Sequence, residues 1–250
     1  MNGLLEKVEG IVIRTRDYGE TNKIVTIFTR EKGKITVMAR GAKKPKSRMA
    51  ATTQPFVYAQ FLVYIGSSMG NVQQAEFLDS MRAIREDISK TAYAAYLTEL
   101  TDKLIEPNTP APFLFEQLLQ TFLWIVEDKD PDVLMLMYEM KMYKQGGFAP
   151  QTRACVNCGR QEEIIAFSVM EGGVLCNRCR YLDHQAFHLT PNLHKLLTIC
   201  LEVDVKRVGN ISVKEENKKK LMGMSEQYYE RYGGYFLKSK KFLKQLDMLR

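Results

Sequence analysis

The chain has 250 residues, 45% of them hydrophobic and 26% charged, which is ordinary for a globular protein with one or more packed cores. No apolar run approaches the roughly 20 residues that a membrane-spanning helix needs. The first residues, MNGLLEKVEG, lack the basic and apolar regions of a secretory signal. We therefore expect a cytoplasmic protein whose cysteines are in a reducing compartment, where metal binding is favoured over disulfides.

The net charge of +7 is distributed unevenly along the chain. Residues 1–50 and 205–250 each contain 12 lysines and arginines against 5 aspartates and glutamates, whereas residues 51–204 contain 12 against 19. Two basic ends around an acidic middle favour a polyanionic partner, although a short segment can also reach such an excess by chance.

The first 80 residues predict five β-strands. Segments rich in valine, isoleucine, threonine and phenylalanine alternate with turn sequences such as DYGE, EKG and GSSMG. The predicted strands cover residues 7–16, 22–30, 34–40, 54–65 and 71–78. Five short strands indicate a small barrel, and five is the strand number of an OB fold. An SH3-like barrel fits the same pattern nearly as well.

The apolar period becomes helical after Ser80. Apolar residues on one helical face recur at Ile84, Ile88, Tyr96, Leu100 and Leu104. Further helices are predicted over residues 113–126, from Asp130-Pro131 to Gly146-Gly147, from Thr190-Pro191 onward, and from a capping box at Ser212 and Glu215 to Gly233-Gly234.

The predicted architecture is an α+β multidomain chain. Residues 1–80 are expected to form a five-stranded OB-fold β-barrel that binds nucleic acid. An α-helical domain follows, with its first part at residues 81–150 and its C-terminal part at residues 186–250. A four-cysteine zinc knuckle, residues 151–185, is inserted between these two parts.

Four cysteines form the most specific chemical pattern in the chain: Cys155, Cys158, Cys176 and Cys179. They make two Cys-X-X-Cys pairs separated by seventeen residues, a spacing typical of a tetrahedral zinc site. Four thiolates fill the coordination shell of zinc, whereas a catalytic zinc keeps an open position. We therefore predict one structural Zn²⁺. The fifth cysteine, Cys200, lies in an apolar run and is expected to be buried.

No residue pattern for catalysis accompanies the cysteines. His184 and His188 are four residues apart, a spacing that can ligate a metal, but isolated histidines are more often ordinary surface or core residues. The chain contains no G-X-S-X-G, phosphate-loop, dinucleotide-binding or H-E-X-X-H motif, and it lacks the zinc deaminase pattern. We therefore expect a binding protein with no catalytic residues.

A basic segment, ARGAKKPKSRMA, follows the third predicted strand at residues 39–50. Its cations are Arg40, Lys43, Lys44, Lys46 and Arg48. Exposed cations of this kind neutralise phosphates and release counterions, which produces salt-dependent affinity without sequence preference. The neighbouring strands extend this predicted nucleic-acid-binding set with Arg14, Arg16 and Lys34. The alternative is a solvated loop that only adds solubility.

Aromatic side chains of the predicted barrel can complete a single-strand surface, because bases stack on them at about 1–3 kcal/mol each. The candidates are Tyr18, Phe28, Tyr58 and Tyr64. Successive residues of a strand alternate between the two faces, so the sequence leaves open which of the four are exposed. The lysines at residues 218–220 and in the segment KSKKFLKQL are weaker candidates for DNA contacts.

Four stretches and a helix start carry a resemblance to a known family. They are GIVIRTRDYGETNKIVTIFT (10–29), GKITVMARGAKKPKSR (33–48), GGFAPQTRACVNCG (146–159), GGVLCNRC (172–179) and Leu189-Thr190-Pro191. In their order and spacing they resemble the RecO family of bacterial DNA repair proteins. The resemblance covers nearly the whole chain and is densest in the first 50 residues and around the cysteines.

The resemblance implies a non-enzymatic recombination mediator of the RecF pathway. Such proteins bind single- and double-stranded DNA, anneal complementary strands without ATP, and help load RecA onto strands covered by single-stranded DNA-binding protein. The implied partners are RecR, the acidic and apolar C-terminal tail of the single-stranded DNA-binding protein, and indirectly RecA. The resemblance also places the basic segment on the DNA surface and the protein at the bacterial nucleoid. Some family members lack the knuckle cysteines, which agrees with a structural role for them.

Two other functions stay open on the residues alone. One is a zinc-dependent hydrolase or nucleotide-modifying enzyme that uses the cysteines and His184. The other is a zinc-ribbon adaptor of transcription or translation whose barrel binds RNA or protein. A metal spectrum that responds to substrate would favour the first, and a preference for RNA over DNA of matched length would favour the second.

Overall fold

A computed structural model describes residues 3–66, 69–208 and 212–247 of the chain. The backbone divides into two compact units. The first unit consists of the chain up to Asp128 together with the segment from Leu237 onward, and the second unit consists of Lys129–Phe236. No helix in the described ranges is long and apolar enough to cross a membrane. The four-part domain division stays a prediction, because compactness does not show which parts fold independently.

Five strands of the first unit close into a barrel: β1 Leu4–Tyr18, β2 Asn22–Thr29, β3 Gly33–Ala39, β4 Tyr58–Ile65 and β5 Gly70–Asp79. Their order around the barrel is β1-β2-β3-β5-β4, antiparallel throughout except where β3 meets β5. The structure confirms the predicted α+β class and is compatible with the OB fold. The turn GSSMG, predicted between β4 and β5, includes Ser67 and Ser68, which lie outside the described residues.

Apolar residues alternate along the strands, and their side chains fill the barrel interior. The buried core is lined by side chains such as Val25, Ile27, Val37, Phe61 and Val63. Strand β2 departs from alternation, because every residue from position 24 to position 29 is buried. A helix covers its outer face, where the rings of Phe28 and Phe115 meet edge to face at 5.8 Å.

Among its described residues, the first unit contains five α-helices: α1 Arg48–Thr52, α2 Arg82–Glu86, α3 Ile88–Leu104, α4 Pro112–Val126 and α8 Lys238–Asp247. The single helical face predicted from residue 84 to residue 104 is wrong at its start. Asp87 has an extended backbone that separates α2 from α3, and its carboxylate accepts a hydrogen bond from the Lys90 amide at 2.9 Å. Ile88 is consequently 65% exposed.

The second unit combines three helices with a small sheet: α5 Pro131–Gln145, α6 Pro191–Glu202, α7 Glu215–Tyr232, and strands β6 Ile164–Ser168, β7 Gly173–Cys176 and β8 Phe187–His188. The predicted starts of α5 and α6 are confirmed, because Asp130 and Thr190 cap these helices with their side chains. The capping box at Ser212 is wrong: α7 begins at Glu215 after Lys214, with no side-chain cap.

Helix α5 carries a buried ammonium. The Nζ atom of Lys141 donates hydrogen bonds to the carbonyl oxygens of Met137 and Cys200, both at 3.1 Å. Burial lowers the pKa of Lys141 to about 8, although Cys200 and Asp204 act in the opposite direction. Cys200 is buried as expected, and burial raises the pKa of its thiol to about 12.

Candidate nucleic-acid interface and cysteine centre

Three of the predicted DNA-contacting residues line one groove on the outer face of the barrel. Arg14 and Arg16 reach it from β1 and Lys34 reaches it from β3, around an open volume of about 240 Å³. A bulge between Val12 and Arg14 makes this possible. The inserted residue, Ile13, takes up the extra position in β1, so that residues 11–13 are all buried and the arginines after them face outward.

The groove contains one carboxylate among its three cations. Asp102 of α3 lies 3.3 Å from a guanidinium nitrogen of Arg14 and 3.3 Å from Nζ of Lys34. The Lys34 ammonium also donates to the backbone carbonyl of Asp102. Arg16 is exposed and forms no ion pair with any described residue. The groove is therefore basic, but two of its cations share one anion.

The basic segment after β3 is a chain of tight turns held against the turn between β1 and β2. The Gly41 amide donates to Asn22 Oδ1 and the Lys43 amide donates to the Thr21 carbonyl, both at 2.9 Å. Lys46 adopts a left-handed backbone conformation with φ of 64°. The segment thus has a defined path, and we call residues 40–48 the basic loop.

The cations of the basic loop differ in their partners. Lys43 is tied down, with Nζ 3.1 Å from Asp17 and 3.3 Å from the Gly19 carbonyl. The other four are exposed, and within the described part of the chain no acidic residue pairs with them: Arg40, Lys44, Lys46 and Arg48. The loop therefore presents four cations that are available to an anionic partner.

The basic loop follows the end of β3 that lies near Arg16, whereas Lys34 lies near the other end of β3. Strand pairing places Arg16 opposite Ile24 and Ile24 opposite Met38, and Arg40 follows two residues after Met38. Neighbouring strands lie about 4.8 Å apart, so Arg16 and Met38 are separated by roughly 10 Å across the face. Of the three groove cations, Arg16 consequently lies nearest to the start of the basic loop along the strands.

Of the four aromatic candidates, Tyr18 is the one that is exposed beside the basic loop. It is 51% exposed and ends β1, next to the Asp17 that pairs with Lys43. Phe28 is buried and cannot stack on a base. Tyr58 is half-buried, and burial together with a hydrogen bond to Glu9 raises the pKa of its hydroxyl to about 12. Tyr64 is exposed but pairs with Leu5, near the other end of β1.

The four predicted cysteines come together in the second unit. Their Sγ atoms all lie within 4.8 Å of one another, and those of Cys158 and Cys176 are 3.6 Å apart. The first pair sits in a turn in which the Gly159 amide donates to the Cys155 carbonyl at 2.9 Å, with Gly159 at a φ of 73°. The second pair spans the end of β7 and the 3-10 helix Asn177–Leu182.

The arrangement of the sulfurs fits a tetrahedral metal ion. Zinc–sulfur bonds of about 2.3 Å imply sulfur–sulfur distances of about 3.8 Å, close to the spacing observed here. Burial alone would raise the pKa of the Cys155 thiol, but backbone N–H groups of Cys176, Cys158 and Asn157 lower it to about 6. These four cysteines could therefore hold a metal ion.

The pKa values of the thiols also favour a bound cation. The Asn157 amide donates to Cys179 Sγ at 3.3 Å and lowers the pKa of that thiol, but burial and the three neighbouring cysteines outweigh it and raise the pKa to about 12. Crowded sulfurs thus resist joint ionisation without a cation. No histidine belongs to the group, and His184 and His188 are both exposed.

In the basic groove, Asp102 is a residue that the sequence did not indicate. It lies 88 positions from Arg14, inside a helix half of whose other residues are buried. A single aspartate in a helix has no local pattern that predicts an ion pair with a distant strand. The fold alone brings it into the groove.

Comparisons with known proteins agree over nearly the whole length. Residues 1–81 match the family described as "Recombination protein O N terminal", and residues 85–241 match "Recombination protein O C terminal". The "DNA repair protein RecO" of Oceanobacillus iheyensis is 53% identical over 244 residues, which cover 98% of this chain and 95% of that protein. Proteins of the same name from Bacillus cereus strain AH187 and from Bacillus anthracis are 48% identical over 244 residues, 98% of each chain.

Proposed function

The chain belongs to the recombination protein O (RecO) family, and we propose that it is a DNA repair protein that mediates recombination without catalysing a reaction. It binds single- and double-stranded DNA, anneals complementary strands without ATP, and assists the loading of RecA onto strands covered by single-stranded DNA-binding protein. The observation that supports DNA binding most directly is the set of cations that line the groove and the basic loop.

The proposed mechanism of annealing is electrostatic. Phosphates of two strands are partly neutralised by Arg14, Arg16 and Lys34 in the groove and by the cations of the basic loop: Arg40, Lys43, Lys44, Lys46 and Arg48. Neutralisation lowers the repulsion between strands and releases counterions, so complementary bases can meet. Tyr18 offers an aromatic face on which an unpaired base can stack. Neither step needs nucleotide hydrolysis.

The proposed partners other than DNA are RecR and the C-terminal tail of the single-stranded DNA-binding protein, with RecA as an indirect partner. Family membership supports these partners. The proposed location is the nucleoid in the bacterial cytoplasm, where all of them would meet DNA.

We further propose that the metal held by Cys155, Cys158, Cys176 and Cys179 is one structural Zn²⁺. Four cysteine ligands would close its coordination shell, so the ion would supply folding energy to the second unit and leave no position for a substrate. Through that ion the cysteines would hold the turn at residues 155–158 against β7 and the following 3-10 helix. This arrangement supports a role as a brace.

An annealing assay tests the proposal. Complementary strands coated with single-stranded DNA-binding protein are mixed with the wild-type protein in the absence of ATP, and duplex formation is followed by fluorescence. We expect annealing, and we expect oligonucleotide affinity to fall as salt rises. An affinity that does not change with salt would contradict electrostatic binding. Tighter binding of RNA than of single-stranded or duplex DNA of matched length would favour an RNA adaptor instead.

Neutralisation of the basic loop tests the surface itself. Lys43→Gln/Lys44→Gln/Lys46→Gln/Arg48→Gln removes three cations that have no acidic partner among the described residues, together with Lys43, which pairs with Asp17. The slope of log K against log salt should therefore fall by about 2.1, and by at most about 2.8, for single strands. The variant should also lose the ability to anneal complementary strands. The matched control changes three exposed lysines and one exposed arginine of the second unit: Lys144→Gln/Lys195→Gln/Lys206→Gln/Arg207→Gln. Equal annealing by the loop variant and the control would show that the loop is not the DNA surface.

A further inference from the structure

Asp102 is the acidic residue among those that line the basic groove. Its carboxylate contacts Arg14 through one oxygen and Lys34 through the other, at 3.3 Å each. The Asp102 side chain is 18% exposed and that of Lys34 is 12% exposed, whereas that of Arg14 is 61% exposed. The carboxylate thus bridges two cations at the inner wall of a groove that is open to solvent.

The position of Asp102 is not explained by the stability of its helix. Asp102 lies in the last turn of α3, where the helix dipole disfavours an acidic side chain. The loop after α3 is also held to β3 without it, since the Asn108 amide donates to the Lys34 carbonyl at 2.9 Å. The Lys34 ammonium would keep its bond to the backbone carbonyl of residue 102 if the side chain changed. The carboxylate therefore acts mainly on the charge of the groove.

We infer that Asp102 is a specificity-determining residue of the groove. Its carboxylate occupies the position in which a phosphate would pair with Arg14 and Lys34, and only a ligand with many linked phosphates displaces it. The inference rests on the proposed function, because it concerns the same DNA surface. A phosphodiester that pairs with Arg14 or Lys34 must displace Asp102 or lie beside it, and like charges a few ångströms apart repel. Asp102 thus weakens the binding of every anion at this point.

A single small anion and a nucleic acid differ in how far they can overcome the repulsion by Asp102. Inorganic phosphate gains only one or two contacts in exchange for those of Asp102. A nucleic acid strand bound to Arg16 and to the basic loop, which begins near Arg16, would bring its next phosphate to the groove at a high effective concentration. The carboxylate consequently favours polyanions over the small anions of the cell.

Replacement of Asp102 by asparagine tests the inference, because asparagine keeps the size of the side chain and removes the charge. In Asp102→Asn, two further cations become available to phosphate. We expect affinity for a single-stranded oligonucleotide at low salt to rise about tenfold, and the slope of log K against log salt to steepen by up to about 1.4. Inorganic phosphate at constant ionic strength should compete with the oligonucleotide for the variant at lower concentrations than for the wild type.

Two further variants separate this local effect from general charge and from folding. Glu86→Gln removes one negative charge and releases Arg82, its exposed partner at 2.6 Å, outside the groove. It should leave affinity, slope and phosphate competition close to the wild-type values. Asp102→Ser also removes the charge but is smaller, and it should reproduce the changes of Asp102→Asn. Far-ultraviolet circular dichroism checks that each variant is folded.

The outcomes distinguish this inference from the proposed function. If the wild-type protein binds DNA and the folded Asp102 variants bind no more tightly than Glu86→Gln, the inference is wrong while the proposed function stands. Weaker binding by the folded Asp102 variants would also overturn it, since Asp102 would then position the cations for DNA. A wild-type protein that does not bind oligonucleotides would overturn both.

Discussion

The buried ammonium of Lys141 makes the stability of the second unit depend on pH in a direction that can be tested. Lys141 is only 4% exposed, and its Nζ atom bonds to two backbone carbonyls. Burial lowers its pKa to about 8 from the ordinary value of 10.5, although Cys200 and Asp204 oppose the change. The perturbation that we consider is Lys141→Met, which keeps an unbranched side chain, shorter by one heavy atom, and removes the charge.

The free-energy penalty of the buried charge follows from the pKa of Lys141 in the folded and in the unfolded chain. The folded pKa is below the unfolded one, so between pH 8 and pH 10.5 the unfolded chain binds a proton that the folded chain has lost. Stability therefore rises with pH in this window, and below pH 8 the full penalty of the buried charge remains. At 1.36 kcal/mol per pKa unit, the penalty is about 3 kcal/mol. Met137 and Cys200 lose a donor in the variant, which offsets part of the gain by about 1–3 kcal/mol.

Urea unfolding followed by circular dichroism measures the difference between variant and wild type at a series of pH values. The advantage of Lys141→Met should shrink by about 3 kcal/mol from pH 7.5 to pH 10.5. Burial raises the pKa of Cys200 and of Tyr228 to about 12, which lowers the stability of both proteins at high pH, so only the difference is informative. A difference that stays constant with pH would refute the reasoning. The exposed Lys195→Met should show such a constant difference.

Two more predictions concern the cysteines and the aromatic surface. Cys155→Ser should lower the folding yield and the metal content of the protein before it changes DNA affinity per folded molecule, because the proposed zinc supplies folding energy; a fully folded Cys155→Ser variant that has lost DNA binding would contradict the brace. Tyr18→Ala should weaken single-stranded oligonucleotide binding by about 1–3 kcal/mol in a fluorescence titration, through loss of one stacked base. Tyr64→Ala is its control, and equal losses in the two variants would argue against stacking on Tyr18.

Local signals explain why much of the fold and of the site could be predicted. Alternation and turn residues located all five strands of the barrel, although β4 begins at Tyr58 and not at residue 54. The Asp130-Pro131 and Thr190-Pro191 pairs located two helix starts, because capping depends on neighbouring residues only. The spacing of the cysteines was likewise sufficient to predict that they meet.

Predictions were wrong where tertiary contacts or neighbouring chain segments compete with local patterns. Ile84 and Ile88 fit one helical period, yet the backbone is extended at Asp87 between them. The short helix α1, which precedes the predicted fourth strand, was missed, since five residues carry too little periodicity to detect. Ser212 has the spacing of a capping box, but α7 begins three residues later.

The sequence by itself determined most of the elements of the barrel, two helix starts, the cysteine centre and the identity of the cations, because each of these depends on residues close together in the chain. Only the tertiary structure decided which charges are available. Helix α4 covers Phe28, and Asp17 engages Lys43. Asp102 arrives from α3 to share its carboxylate between Arg14 and Lys34. Coulombic interactions depend on distance in space and on burial, and both are settled only when strands and helices pack.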